Sequence, residues 1–126
     1  MSMKIEDINT TQLIADIRKI AAENPEHVYE RVSLDDRTPS RCVYFIEGSP
    51  SCLVGQGFAK QGMAEDDLTP LDNLNSIGDL LRDRIYDVDP VELRWLDRVQ
   101  EVQDQGLPWS EAVDIADDSV EGLAMP

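Results

Sequence analysis

Leu13, Ile14, Ile17 and Ile20 recur at helical spacing behind Thr10 or Thr11, either of which can cap a helix. The spacing predicts a first helix with one apolar face, closed at Asn24-Pro25 because the residue before proline disfavours the helical region. The period then changes. His27-Val28-Tyr29-Glu30-Arg31-Val32 alternates, and Arg41-Cys42-Val43-Tyr44-Phe45-Ile46 is dominated by β-branched and aromatic residues, so both read as strands. The polar stretch 33–40 between them is too short for a parallel crossover and predicts an antiparallel pair.

Helical periodicity returns after the turn Glu47-Gly48-Ser49-Pro50. Ser51 is placed to cap a helix over 52–61 with Leu53, Val54, Phe58 and Ala59 inside, and Gly62 suits its C-terminal end. Residues 63–75 are acidic, interrupted by Pro70, and read as a loop with one turn after Thr69. Ser76 followed by Asp79 heads a helix of Ile77, Leu80, Leu81 and Ile85. Asp89-Pro90 is a strong start, with an acidic cap and proline at the first helical position. The helix it opens runs to about Gln105 and gathers Val91, Trp95, Val99 and Val102 within roughly 80° of arc. Gly106 closes it, and Pro108-Trp109 opens a last helix with Trp109, Ala112, Val113 and Ala116 inward. The pattern predicts a single α+β domain over 1–126, mostly helical: a helix, a two-stranded antiparallel ribbon, then about four helices around one core. Residues 1–9 and 119–126 are expected to fray. A lone ribbon is marginal in water, so it should lay its apolar face on the helices.

Composition fits one core: apolar residues make up 41% of 126, enough without metal or disulfide staples. Charged residues are 29%, an ordinary fraction, so the net charge of −15 is an excess of sign rather than of density. That excess is unevenly placed. Residues 1–62 carry nine Asp/Glu against seven Lys/Arg, residues 63–126 carry seventeen against four, and no lysine follows Lys60. Such a half repels nucleic acid and anionic membrane and attracts basic surfaces. No run of 18 apolar residues exists to span a bilayer, and Met1-Ser2-Met3-Lys4-Ile5-Glu6-Asp7 has no apolar signal region. The two cysteines are therefore expected as free thiols, and the compartment as cytoplasmic.

The acids can be located more finely. On the Pro90 helix, Arg94 can meet Asp97 and Arg98 can meet Glu101, so that face balances much of its own charge. On the last helix, Glu111, Asp114, Asp117, Asp118 and Glu121 fall within about 80° to 200° of Trp109, with no base among them. Acids at a helix C-terminus oppose its dipole, so this helix should stop near Ala116 or Asp117. The five acids, with Glu65-Asp66-Asp67 as a second contact, form a candidate face for a protein with a basic surface. Two other readings use the same residues: a mimic of the nucleic-acid backbone that inhibits a DNA-binding protein, or a tail that only keeps the chain in solution.

Other constellations are thinner. Cys52 at a helix start could be an activated thiol, but its base would have to be His27, the only histidine. A small buried side chain is the simpler role for it. Cys42, Cys52 and His27 are too few and too irregular for zinc. Gly55-Gln56-Gly57 lacks the third glycine of a dinucleotide loop, and neither Glu65-Asp66-Asp67 nor Asp87-Val88-Asp89 has the glycine and terminal Glu of a calcium loop. No catalytic residue, metal or cofactor is expected. Trp95 and Trp109 flank the Gln105–Pro108 turn and read as core, or otherwise as an exposed anchor.

Two stretches form a recognisable combination: Cys42-Val43-Tyr44 before Pro50-Ser51-Cys52-Leu53-Val54-Gly55, and Trp95-Leu96-Asp97-Arg98-Val99-Gln100 before Gln103-Asp104-Gln105-Gly106-Leu107-Pro108-Trp109 and Ala112-Val113. Together they span about residues 40–115, and the arrangement resembles small uncharacterised acidic proteins of actinobacteria and their bacteriophages. The resemblance implies a phage-associated accessory protein in the host cytoplasm and assigns no catalytic residue.

Overall fold

The structure is a computed structural model, and it describes residues 4–29, 44–46, 48–69, 76–85 and 87–120. It is mostly helical. Helix α1 (Thr10–Glu23) starts one or two residues earlier than a Thr10 or Thr11 cap predicts, because Asn9 is the cap and its side chain accepts from the Gln12 amide at 2.9 Å. Leu13, Ile14, Ile17 and Ile20 are buried along one face, as the spacing requires. A minimal hairpin of β1 (Phe45–Ile46) and β2 (Ser49–Pro50) precedes α2 (Leu53–Lys60), which Cys52 rather than Ser51 caps. Helices α3 (Ile77–Arg84), α4 (Pro90–Asp104) and α5 (Trp109–Ser119) follow, with Ser76 and Asp89 in their expected capping roles. Gly62 and Gly106 end α2 and α4 in the left-handed region, at φ +99° and +90°. A single-turn 3-10 helix forms at Glu65–Asp67, and the turn predicted after Thr69 lies outside the described residues.

The predicted ribbon of 27–32 with 41–46 is not confirmed. Residues 30–43 lie outside the described residues, and Val28 bridges to Pro108 instead. The reason is non-local: segment 25–28 wraps the start of α5. The carbonyls of His27 and Pro25 accept the Trp109 and Ser110 amides at 2.9 and 3.1 Å, which satisfies donors that Pro108 cannot cap. Within the stretch 1–9, expected to fray, Ile5 and Ile8 are buried in the core. Both indoles are core: Trp95 and Trp109 are both buried, and Trp109 meets the His27 ring at a tilt of 55°, 4.3 Å between centroids.

One core runs through all five helices, and α4 is its axis, packed against the other four. Trp95, Leu96, Val99 and Val102 are its apolar contribution. Its polar contribution is less usual. Gln103 Oε1 accepts the Leu53 amide at the start of α2 at 2.8 Å. Gln100 Oε1 accepts the Ile77 amide at the start of α3 at 2.8 Å, while its Nε2 donates to the Tyr44 hydroxyl. Asp97 Oδ1 accepts the Gly78 amide at 2.7 Å. At the other end, the buried Glu92 carboxylate accepts from the hydroxyls of Thr10 and Thr11, in the first turn of α1, at 2.7 and 2.6 Å. A helix start leaves its first amides without partners, and burying them unpaired costs about 1–3 kcal/mol each. Here α4 supplies partners to α2 and α3.

Glycine makes room for these approaches. A side chain at Gly55 would collide with the Tyr44 carbonyl, and one at Gly57 would press on Leu13 and Ile17 of α1. One at Gly78 would overlap the Asp97 carboxylate. The Gly55-Gln56-Gly57 run is therefore a packing device within α2 and not a phosphate loop.

Asp97 carries a built-in tension. Burial raises its pKa, opposed by the Gly78 amide and Arg82, with Asp79 and Glu101 adding to the rise. The folded state thus holds this proton more tightly than the unfolded chain. Its contribution to stability is complete at acid pH and falls as pH rises from the ordinary carboxylate range through the raised folded value. Asp97→Asn keeps an acceptor for Gly78 and removes the charge, so at pH 7 it should be at least as stable as the wild type, with a flatter acid-range profile. Asp97→Ala should lose about 1–3 kcal/mol at every pH by orphaning the Gly78 amide. Urea denaturation of both variants between pH 3 and about pH 8 checks this; equal losses in the two would contradict it.

Candidate docking face

Helix α5 turns Trp109, Ala112 and Ala116 inward, with Val113 and Ile115 packed at the edge of the core. Glu111, Asp114 and Asp118 are exposed. At 100° per residue these three lie within about 60° of one another and span roughly 10 Å along the helix, so they form one stripe. No base lies on α5. Among the described residues the exposed large apolar side chain is Val28 alone, so an apolar contact face is not what this surface offers.

Asp117 does not belong to that stripe. Its Oδ1 accepts from the Trp95 indole Nε1 at 2.8 Å and lies 2.7 Å from Arg18 Nη2, while the Arg18 guanidinium sits over the Trp95 ring at 5.3 Å. The carboxylate, the guanidinium and the indole clamp α5 to α1 and α4. Arg18 also explains why α5 runs on to Ser119 instead of stopping at Ala116 or Asp117: a cation close to the last turn offsets the charge–dipole conflict. Sequence reasoning passed over Arg18. Its signal was present, since Arg18 follows Ile14 by four residues and Ile17 by one, at the rim of the apolar face of α1.

The second predicted contact is spent locally. Asp67 Oδ2 accepts the Ala64 amide at 2.8 Å and Glu65 Oε2 accepts the Gly48 amide, which leaves Asp66 as the exposed acid of that turn. Glu121 lies outside the described residues. On α4 the Arg98–Glu101 pair forms as predicted, but Arg94 does not pair with Asp97, whose carboxylate faces Gly78. Of the seven described acids predicted for docking, the α5 stripe and Asp66 are the exposed ones.

The free-thiol expectation does not hold for Cys52. Cys52 is fully buried, is disulfide-bonded, and its Sγ accepts the Gly55 amide at 3.4 Å. No free cysteine is found among the described residues, and the other cysteine, Cys42, lies outside them. The free-thiol expectation weighed compartment alone and missed the local geometry. The Ser51 amide donates to the Tyr44 carbonyl at 2.8 Å, which brings the two arms of the hairpin together next to Cys52. No helix among the described residues is long and apolar enough to cross a membrane.

Comparison of the chain with protein-family models, with curated proteins and with solved structures finds no match.

Two neighbouring acids should behave in opposite ways on substitution. Asp117→Ala breaks a pair whose side chains are 13% and 18% exposed. It should cost about 2–3 kcal/mol, below the roughly 3–5 kcal/mol of a fully buried pair. Asp118→Ala, one residue on and exposed, should stay within about 0.5 kcal/mol of the wild type. Chemical denaturation of both, with tryptophan fluorescence as the probe, distinguishes them; a similar cost for both would dissolve the distinction.

Proposed function

We propose that the chain is a non-enzymatic accessory protein that binds a basic surface of another protein through the Glu111–Asp114–Asp118 stripe of α5. What carries the reading is that these carboxylates are exposed in one row with no base on their helix, whereas Asp117 is committed to Arg18, Glu92 to two threonines, Asp97 to Gly78 and Glu101 to Arg98. An uncommitted row of one sign steers an oppositely charged partner and fixes its register without a large apolar contact. The resemblance to proteins of actinobacteria and their phages makes a host or viral protein the proposed partner. Mimicry of nucleic acid would require a second acidic row, and α4 spends its charges internally.

The host cytoplasm is the proposed location from the resemblance. The disulfide at Cys52 removes the support that free thiols would have lent it, because such bonds persist in oxidising compartments.

Capture from a host lysate tests the reading, using the wild type and Glu111→Gln/Asp114→Asn/Asp118→Asn side by side. The partner should be retained at low salt, released near 0.5 M salt as the screening length falls to about 4 Å, and not retained by the triple variant. Capture indifferent to both salt and the substitutions would reject the stripe. A partner that nucleic acid displaces would favour mimicry instead.

A further inference from the structure

The acidic half of the chain has four bases, Arg82, Arg84, Arg94 and Arg98. Two of them, Arg82 and Arg94, line the same cleft between α3 and the first turns of α4, a space of about 450 Å³. Val88, Pro90 and Leu93 supply its apolar wall, and Asp97 closes one side. Arg98 is committed to Glu101, and Arg82 holds Asp79 at 3.2 Å in an exposed pair of little strength. Arg94 is exposed and has no ion pair or side-chain hydrogen bond among the described residues. An unpaired guanidinium beside a second one, over apolar carbon, is an unusual arrangement on a surface with so few cations. The cleft has the size and mixed lining of a small-molecule site.

We propose that this cleft binds a small organic monoanion, a carboxylate carried on an apolar body. The Arg94 fork matches a carboxylate in two parallel hydrogen bonds, and Arg82 can leave its weak pair with Asp79 to add a third donor. The body lies on Val88, Pro90 and Leu93. Asp97 limits the charge: its carboxylate is held on the Gly78 amide at the side of the cleft and disfavours a second negative charge there. The site is independent of the proposed α5 stripe, and either can fail without the other.

Benzoate is the probe, titrated into the isotopically labelled full chain at about 0.15 M salt and followed by amide chemical shifts. Saturable shifts are expected at Arg82, Val88, Leu93 and Arg94. Acetate, with the charge but no body, and benzyl alcohol, with the body but no charge, should each bind at least about tenfold more weakly. Arg94→Gln, a surface change that leaves the fold intact, should weaken benzoate about tenfold. Failure to saturate, equal affinity for acetate, equal affinity in Arg94→Gln, or shifts spread equally over Arg84 and Arg98 would each overturn the site.

Discussion

The starts of α2 and α3 are buried against α4, and the amides of Leu53, Ile77 and Gly78 there find their acceptors in its side chains. Gln103 holds Leu53, Gln100 holds Ile77 and Asp97 holds Gly78. The alternative, several amides desolvated without partners, would cost about 1–3 kcal/mol apiece against a total stability of only about 5–15 kcal/mol. Each contact also fixes a direction, because a hydrogen bond orients the helix it caps whereas apolar packing alone tolerates sliding. Gly78 has to be glycine for Asp97 to reach it, and Gly55 has to be glycine for α2 to lie against Tyr44. The fold therefore hangs on a central helix that is apolar on its core side and carries acceptors at the edges of that side.

This arrangement decides what is left for function. Glu92, Asp97, Gln100 and Gln103 of α4 are consumed in holding the other helices, and Asp117 on α5 is consumed by Arg18 and the Trp95 indole. Glu111, Asp114 and Asp118 on the outer face of α5, and Arg94 at the α3–α4 cleft, stay outside these contacts. Opposite charges are thus left free in two separate places, and each suits a different kind of ligand.

Local rules located most helix boundaries. Ser76, Asp89-Pro90, Gly62 and Gly106 are signals that act within one turn, and the structure uses all of them. The failures share a cause: partners distant in sequence. Val28 alternates like a strand residue, but its backbone meets Pro108, eighty residues on. Asp117 looks like one more exposed acid until Arg18, 99 residues away, is seen beside it. Nothing in the period of α4 distinguishes Gln100 and Gln103 from surface glutamines, because their amide partners lie 23 and 50 residues upstream. The acidic stripe was legible because helical periodicity alone defines it. Which of its members were free was not, because that depends on tertiary pairing.

The claim that α4 holds the fold through its acceptors is tested most directly at Gln103, where one side chain serves one amide. Gln103→Met keeps the volume and removes the acceptor. Hydrogen exchange and denaturation together should then show a loss of about 1–3 kcal/mol, with protection falling first at the Leu53 amide and through α2 while α5 stays protected. Unchanged stability, with Leu53 as protected as before, would contradict the account.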